Sequence, residues 1–157
     1  MHILKILFKT TFIILVSLLS CTSKGALTPE DAFISITRAY VKSDADAVAT
    51  QLSKSSIEKI RKIIQMISSM DEKQIFTLSK RFGTSPDRLM NLSVKDYISL
   101  QFALAKRMNE NFMREIAVSK IIDIDIKDKV AIVKAENGME LKFVKEGPYW
   151  KFEMTDL

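Results

Sequence analysis

Histidine, cysteine, glycine and proline are all scarce in this chain. Its 157 residues include one histidine, one cysteine, four glycines and three prolines. A single cysteine, Cys21, rules out an internal disulfide. The single histidine is His2, so nothing beyond the second residue can supply an imidazole for a Ser-His-Asp or Cys-His centre, or for a zinc site. The few glycines leave no phosphate-binding loop, because Phe82-Gly83-Thr84 lacks the partners such a loop needs. Collagen-like tracts, solenoid repeats and flexible low-complexity linkers are excluded by the same scarcity. There is no long basic run with interleaved aromatics, which argues against nucleic acid as a partner. What remains is a globular balance, with 47% hydrophobic and 27% charged residues.

The first twenty residues have a character of their own. Lys5 and Lys9 stand in an acid-free start, followed by an apolar run from Thr10 to Leu19 that stops at Ser20-Cys21. A basic start, a short apolar stretch and a small residue before the cut describe a secretory signal, and the uninterrupted run is short of the roughly 20 residues a spanning helix needs. Leu18-Leu19-Ser20-Cys21 resembles the lipobox of bacterial lipoproteins. The resemblance implies cleavage between Ser20 and Cys21, acylation of Cys21, and retention on a bilayer of the cell envelope through that lipid. Thr22 resembles the residues that permit sorting to the outer membrane in preference to the inner. One acyl chain binds a bilayer only marginally and two or three hold durably, which is what such a cysteine carries. Loss of residues 1–20 takes Lys5 and Lys9 with it, lowering the formal charge from +5 to +3.

Residues 21–27 read as a lipidated tether and 28–157 as one α+β domain. Thr28-Pro29-Glu30-Asp31 starts a helix: a capping hydroxyl, a proline in the first turn, and acids at the positive end of the dipole. Phe33, Ile36 and Tyr40 mark its buried face, and it should end near Ser43. Asp44 caps a short helix to Leu52. Ser55-x-x-Glu58 predicts a capping box for the next, whose stripe is Ile57, Ile60, Ile63, Ile64, Ile67 and Met70. A helix from Glu72 to Phe82 is stopped by Gly83, residues 84–87 form a turn or a single helical turn, and Ser93 with Asp96 opens a broad apolar helix reaching about Asn111.

After Val118 the period changes to two. Ile122, Ile124 and Ile126 alternate with Asp123 and Asp125, which predicts a half-buried strand with its isoleucines inward. Val130 to Glu136 is the next strand. Asn137-Gly138 predicts a type I′ hairpin, followed by a strand carrying Met139, Leu141 and Phe143. Glu146-Gly147-Pro148 turns the chain into a last strand with Trp150, Phe152 and Met154 on one face. Four antiparallel strands with one apolar face need a cover, and the N-terminal helices supply it. Two stretches resemble small NTF2-like domains of bacterial envelope lipoproteins. These are Pro29-Glu30-Asp31-Ala32-Phe33 through Lys42-Ser43-Asp44-Ala45-Asp46-Ala47, and Lys129-Val130-Ala131-Ile132-Val133 through Glu146-Gly147-Pro148-Tyr149-Trp150-Lys151-Phe152. The resemblance implies helices set into the concave face of a curved sheet, in an NTF2-like or cystatin-like cone. Residues 54–118 are longer and more helical than that family's pattern.

The candidate chemistry is sparse. Asp123 and Asp125 share a strand face and could hold a cation or serve as base, but alternation puts them on the solvent side. Tyr40, Tyr97, Met66, Met108 and Trp150 are the candidates for lining a pocket, the tyrosines as polar handles and the methionines as adaptable walls. Core packing explains the same residues. The paired bases Arg61-Lys62, Lys80-Arg81 and Lys106-Arg107 read as solvated helix surface. The leading expectation is a non-catalytic, lipid-anchored binding module with no cofactor and no metal. Its partner would be a protein or a small apolar ligand. The competing expectation is an NTF2-like enzyme of isomerase or hydrolase type, using a carboxylate and a tyrosine in the helix–sheet pocket.

Overall fold

The computed structural model describes residues 25–108 and 119–155. Among them six helices precede a four-stranded antiparallel sheet, so the α+β class and its order are as the sequence predicts. The helices are α1 (Pro29–Val41), α2 (Ala45–Gln51), α3 (Lys54–Ser68), α4 (Glu72–Phe82), α5 (Pro86–Met90) and α6 (Val94–Met108). The strands are β1 (Ile121–Lys127), β2 (Val130–Ala135), β3 (Glu140–Glu146) and β4 (Tyr149–Glu153), paired in that order across the sheet.

Local chemistry sets most helix boundaries. The Thr28 hydroxyl accepts from Asp31 N at 3.1 Å and starts α1. Asp44 Oδ1 accepts from Ala47 N at 3.0 Å and starts α2. Asp71 and Gln74 cap each other at the head of α4, and Gly83 ends that helix in the left-handed region at φ 62°. Ser85 caps α5, so the segment 84–87 does open a short helix. Ser93 and Asp96 exchange backbone bonds, each at 3.1 Å, at the head of α6.

Three sequence expectations need correction. The cap of α3 is Ser53, whose hydroxyl accepts from Ser56 N at 3.0 Å, and not Ser55. The helix starts early because Ser53 N is already tied to Phe152 O at 2.9 Å, fixing the chain two residues upstream. The Asn137-Gly138 turn is not type I′, because Gly138 has φ 82° while Asn137 keeps a negative φ. Gly138 N instead donates to Ala135 O at 3.0 Å, and Met139 N to the Asn137 side chain at 3.0 Å. The loop thus spans three residues, with glycine alone in the left-handed position.

The third correction concerns β1. Its register slips between Ile121 and Asp123, so Ile122 is the extra residue of a bulge opposite Lys134 and is 66% exposed. Ile126 faces Ala131 but is 52% exposed, since β1 is the outermost strand. Only Ile121 and Ile124 are half-buried among the isoleucines of this strand.

The core lies between the sheet and the helices. Helix α1 crosses the inner face and touches all four strands. Phe33 and Ile36 meet a floor in which Ala131, Val133 and Phe143 are fully buried and Ala135 nearly so. Alanines on β2 are small enough to let a helix approach closely. Helix α6 packs on α2 and α3 and buries Tyr97, Ile98, Leu100 and Phe102.

The outer edge of β4 is covered by two other segments. Ala26 pairs with Trp150 in antiparallel sense, Trp150 N donating to Ala26 O at 2.8 Å, and Leu52 pairs with Phe152 in parallel sense. At the same edge Glu153 is buried against the start of α3. The Ser53 hydroxyl donates to its carboxylate, and Ser56 Oγ lies 2.8 Å from Ser53 Oγ. Ser56 Oγ also accepts from Met154 N at 2.8 Å. Lys59 Nζ sits 3.8 Å from Glu153 Oε1 and donates to Met154 O at 3.0 Å.

Truncating Trp150, which is buried on the inner face, should cost about 3–5 kcal/mol in chemical denaturation of Trp150→Ala. A loss under about 1 kcal/mol would mean the face is not a core face. Glu153→Ala removes the carboxylate acceptor of the Ser53 hydroxyl and should cost about 1–3 kcal/mol. A double-mutant cycle with Ser53→Ala should show coupling between the two sites. Additive losses would mean that the carboxylate acts without the serines.

Candidate functional site

Of the side chains proposed from sequence as pocket lining, Tyr40, Tyr97, Met66 and Trp150 are described, and none of the four lines the three hollows described below. Trp150 and Tyr97 are buried in the core. Tyr40 is half-buried and meets Phe102 edge to face, with ring centroids 5.3 Å apart. Met66 is 57% exposed on α3. The side chain of Met108, like Ser20 and Cys21, lies outside the described residues. Burial raises the hydroxyl pKa of both Tyr40 and Tyr97 above the ordinary tyrosine value, which makes them poor proton donors near neutrality. Asp123 and Asp125 are exposed on the outer face, where Asp125 pairs with Lys127 at 3.4 Å. No group of three or more His, Cys, Asp or Glu among the described residues is arranged to hold a metal.

A groove does form elsewhere, between α1 and the chain entering β1. It encloses about 480 Å³ and is lined by Glu30, Phe33, Ile34, Thr37, Arg38, Val41, Ser119, Lys120 and Ile121. Helical spacing explains the α1 wall: Glu30, Ile34 and Arg38 follow one another at four-residue steps, with Phe33, Thr37 and Val41 alongside. Phe33 turns into the core and forms the floor, while Ile34 and Val41 are 43% and 40% exposed. Thr37 donates its hydroxyl to Phe33 O at 2.8 Å, which leaves the middle of the wall without a free donor.

The polar groups of the groove are less settled than its walls. Ser119 Oγ is buried and has no hydrogen-bond partner among the described residues. Such a group costs about 1–3 kcal/mol until something bonds it. No ion pair joins Arg38 or Lys120 to a described carboxylate. Glu30 is the one acid in the lining, and it stands two helical turns, about 12 Å, from Arg38. The groove therefore offers apolar walls, two cations and one unpaired hydroxyl. That suits binding by shape and charge.

Sequence reasoning missed this site. Ile34, Arg38 and Val41 are not on the Phe33–Ile36–Tyr40 face that periodicity marks as buried, and nothing local announces that residues 119–121 will face them. Two further hollows are present. One, of about 290 Å³, is lined by Gly25, Ala26, Leu27, Asp31, Ser35, Thr50 and Gln51. The other, of about 500 Å³, is lined by Asp71, Glu72, Lys73, Phe76 and Pro86. Neither contains a buried side-chain polar atom lacking a partner. No family model matches the chain, and no curated protein or solved structure is detectably similar to it.

The tyrosine environments set an alkaline limit. The unfolded chain ionises its tyrosines near pH 10, whereas Tyr40 resists ionisation when folded, so this contribution to stability is intact below pH 10 and falls as pH rises above it. Spectrophotometric titration should show Tyr40 ionising late, and Tyr40→Phe should remove that late component. An unchanged titration in Tyr40→Phe would place the resistant hydroxyl elsewhere.

Proposed function

We propose that this chain is a lipid-anchored protein of the bacterial envelope, whose single α+β domain is a non-catalytic binding module. The observation that carries the reading is the short distance between the lipobox cysteine and the folded domain. Residues 22–25 separate Cys21 from Ala26, which is already hydrogen-bonded to β4. Five residue steps span at most about 18 Å. An acylated Cys21 therefore holds the β4 edge of the sheet close to the lipid headgroups. The β1 edge, with the groove beside it, is three strand spacings away, about 14 Å, and is left accessible.

Two observations support binding over catalysis. The groove combines exposed aliphatic walls with charged groups at its rim, the mixture usual for ligand sites. The carboxylates and tyrosines on which an NTF2-like enzyme would depend are apart: Asp123 and Asp125 face solvent, and Tyr40 and Tyr97 are committed to packing. No helix among the described residues is long and apolar enough to cross a membrane.

Cys21→Ser should abolish acyl labelling and release the protein from the membrane fraction. A Cys21→Ser protein that still labels and still sediments with membranes would end the lipoprotein reading. Separating the two membranes on a density gradient should then place the wild-type protein in the outer one.

A further inference from the structure

We infer that the α1–β1 groove is a site for an anionic amphiphile, a single apolar chain ending in a carboxylate or phosphate. The inference rests on the binding-module reading and names the ligand class of that site. Three features converge on it. Phe33 beneath and Ile34, Val41 and Ile121 at the sides give the groove an apolar strip on which a hydrocarbon chain can lie, beside the polar Glu30, Thr37 and Ser119. Arg38 and Lys120 give the lining two cations, neither neutralised by a described carboxylate. A guanidinium binds carboxylate and phosphate oxygens through paired N–H groups. Ser119 Oγ is a buried hydroxyl in the same lining with no partner among the described residues, free to donate to an anionic oxygen.

The geometry also gives the ligand a direction. Glu30 repels an anion at its own end of α1, while Arg38, two turns on, attracts one. The head is therefore expected at the Arg38 end. The volume of about 480 Å³ lies within the range of about 300–1,000 Å³ typical of small-molecule sites. A neutral chain would satisfy the walls and leave both cations and the serine unpaired. A bare anion would do the reverse.

The test uses residues 22–157, which contain every described element, with probes kept below their micelle concentrations. Dodecanoate and dodecyl phosphate are titrated by calorimetry, with dodecanol, acetate and inorganic phosphate as controls. Saturable one-to-one binding of both anionic chains is expected. Dodecanol and the headless anions should bind at least about tenfold more weakly. Arg38→Gln and Lys120→Gln should each weaken the anionic chains about five- to tenfold and leave dodecanol unchanged. Mass spectrometry of lipids extracted from protein purified without detergent then separates a fatty acid from a lysophospholipid as the natural occupant. No saturable binding, binding of dodecanol as tight as that of dodecanoate, or indifference to the Arg38→Gln, Lys120→Gln double variant would overturn the proposal. So would protection of the groove by the chain's own residues 109–118 in hydrogen exchange. Anchoring is read independently from acyl labelling of Cys21, so either conclusion can fail without the other. Capture of an envelope protein by a crosslinker at Ile34, without amphiphile binding, would favour a protein partner and defeat this proposal.

Discussion

The carboxylate of Glu153 joins two parts of the chain that lie 100 residues apart and helps tie the start of α3 to the edge of the sheet. By strand alternation Glu153 belongs to the outer face, beside Lys142. It is buried because α3 begins at the sheet edge and presents Ser53, Ser56 and Lys59 to it. A buried acid is tolerated only when its oxygens are bonded, and here two hydroxyls and an ammonium surround them. Once α3 is fixed at its first turn, its isoleucine stripe is directed at α6 and α5, and α6 in turn backs α2.

Much of the fold was legible in the sequence because much of it is local. Thr28, Asp44 and Gly83 set helix ends through bonds within a few residues, and the alternation in β2 through β4 needs no knowledge of the rest of the chain. What could not be read depends on distant partners. Ser53 outcompetes Ser55 as a cap because Phe152 holds it. Ile122 leaves the core side because β1 carries one residue more than β2 opposite it, and an isoleucine that pays no penalty for facing water at a bulge looks the same in sequence as one that packs. The candidate groove was the least legible part, since its two walls come from the first helix and the chain entering the first strand, and neither segment announces the other.

The separation of roles within the domain follows from where polarity is left unsatisfied. At the β4 edge every buried side-chain polar group among the described residues has a partner, and such closed networks are rigid. At the β1 side the buried Ser119 hydroxyl has no partner among the described residues, two cations lack described counter-ions, and aliphatic side chains stand open to water. Rigidity gathers at one edge and unmet bonding capacity at the other.

The bond between Ala26 and Trp150 also has a temporal meaning. Its two residues lie near opposite ends of the described chain, so Ala26 has no sheet partner until the last strand exists. Contacts between distant segments form late, because loop closure must come first. During synthesis the segment around Ala26 therefore emerges long before the strand that receives it. Arrival of β4 then draws Ala26 into the sheet.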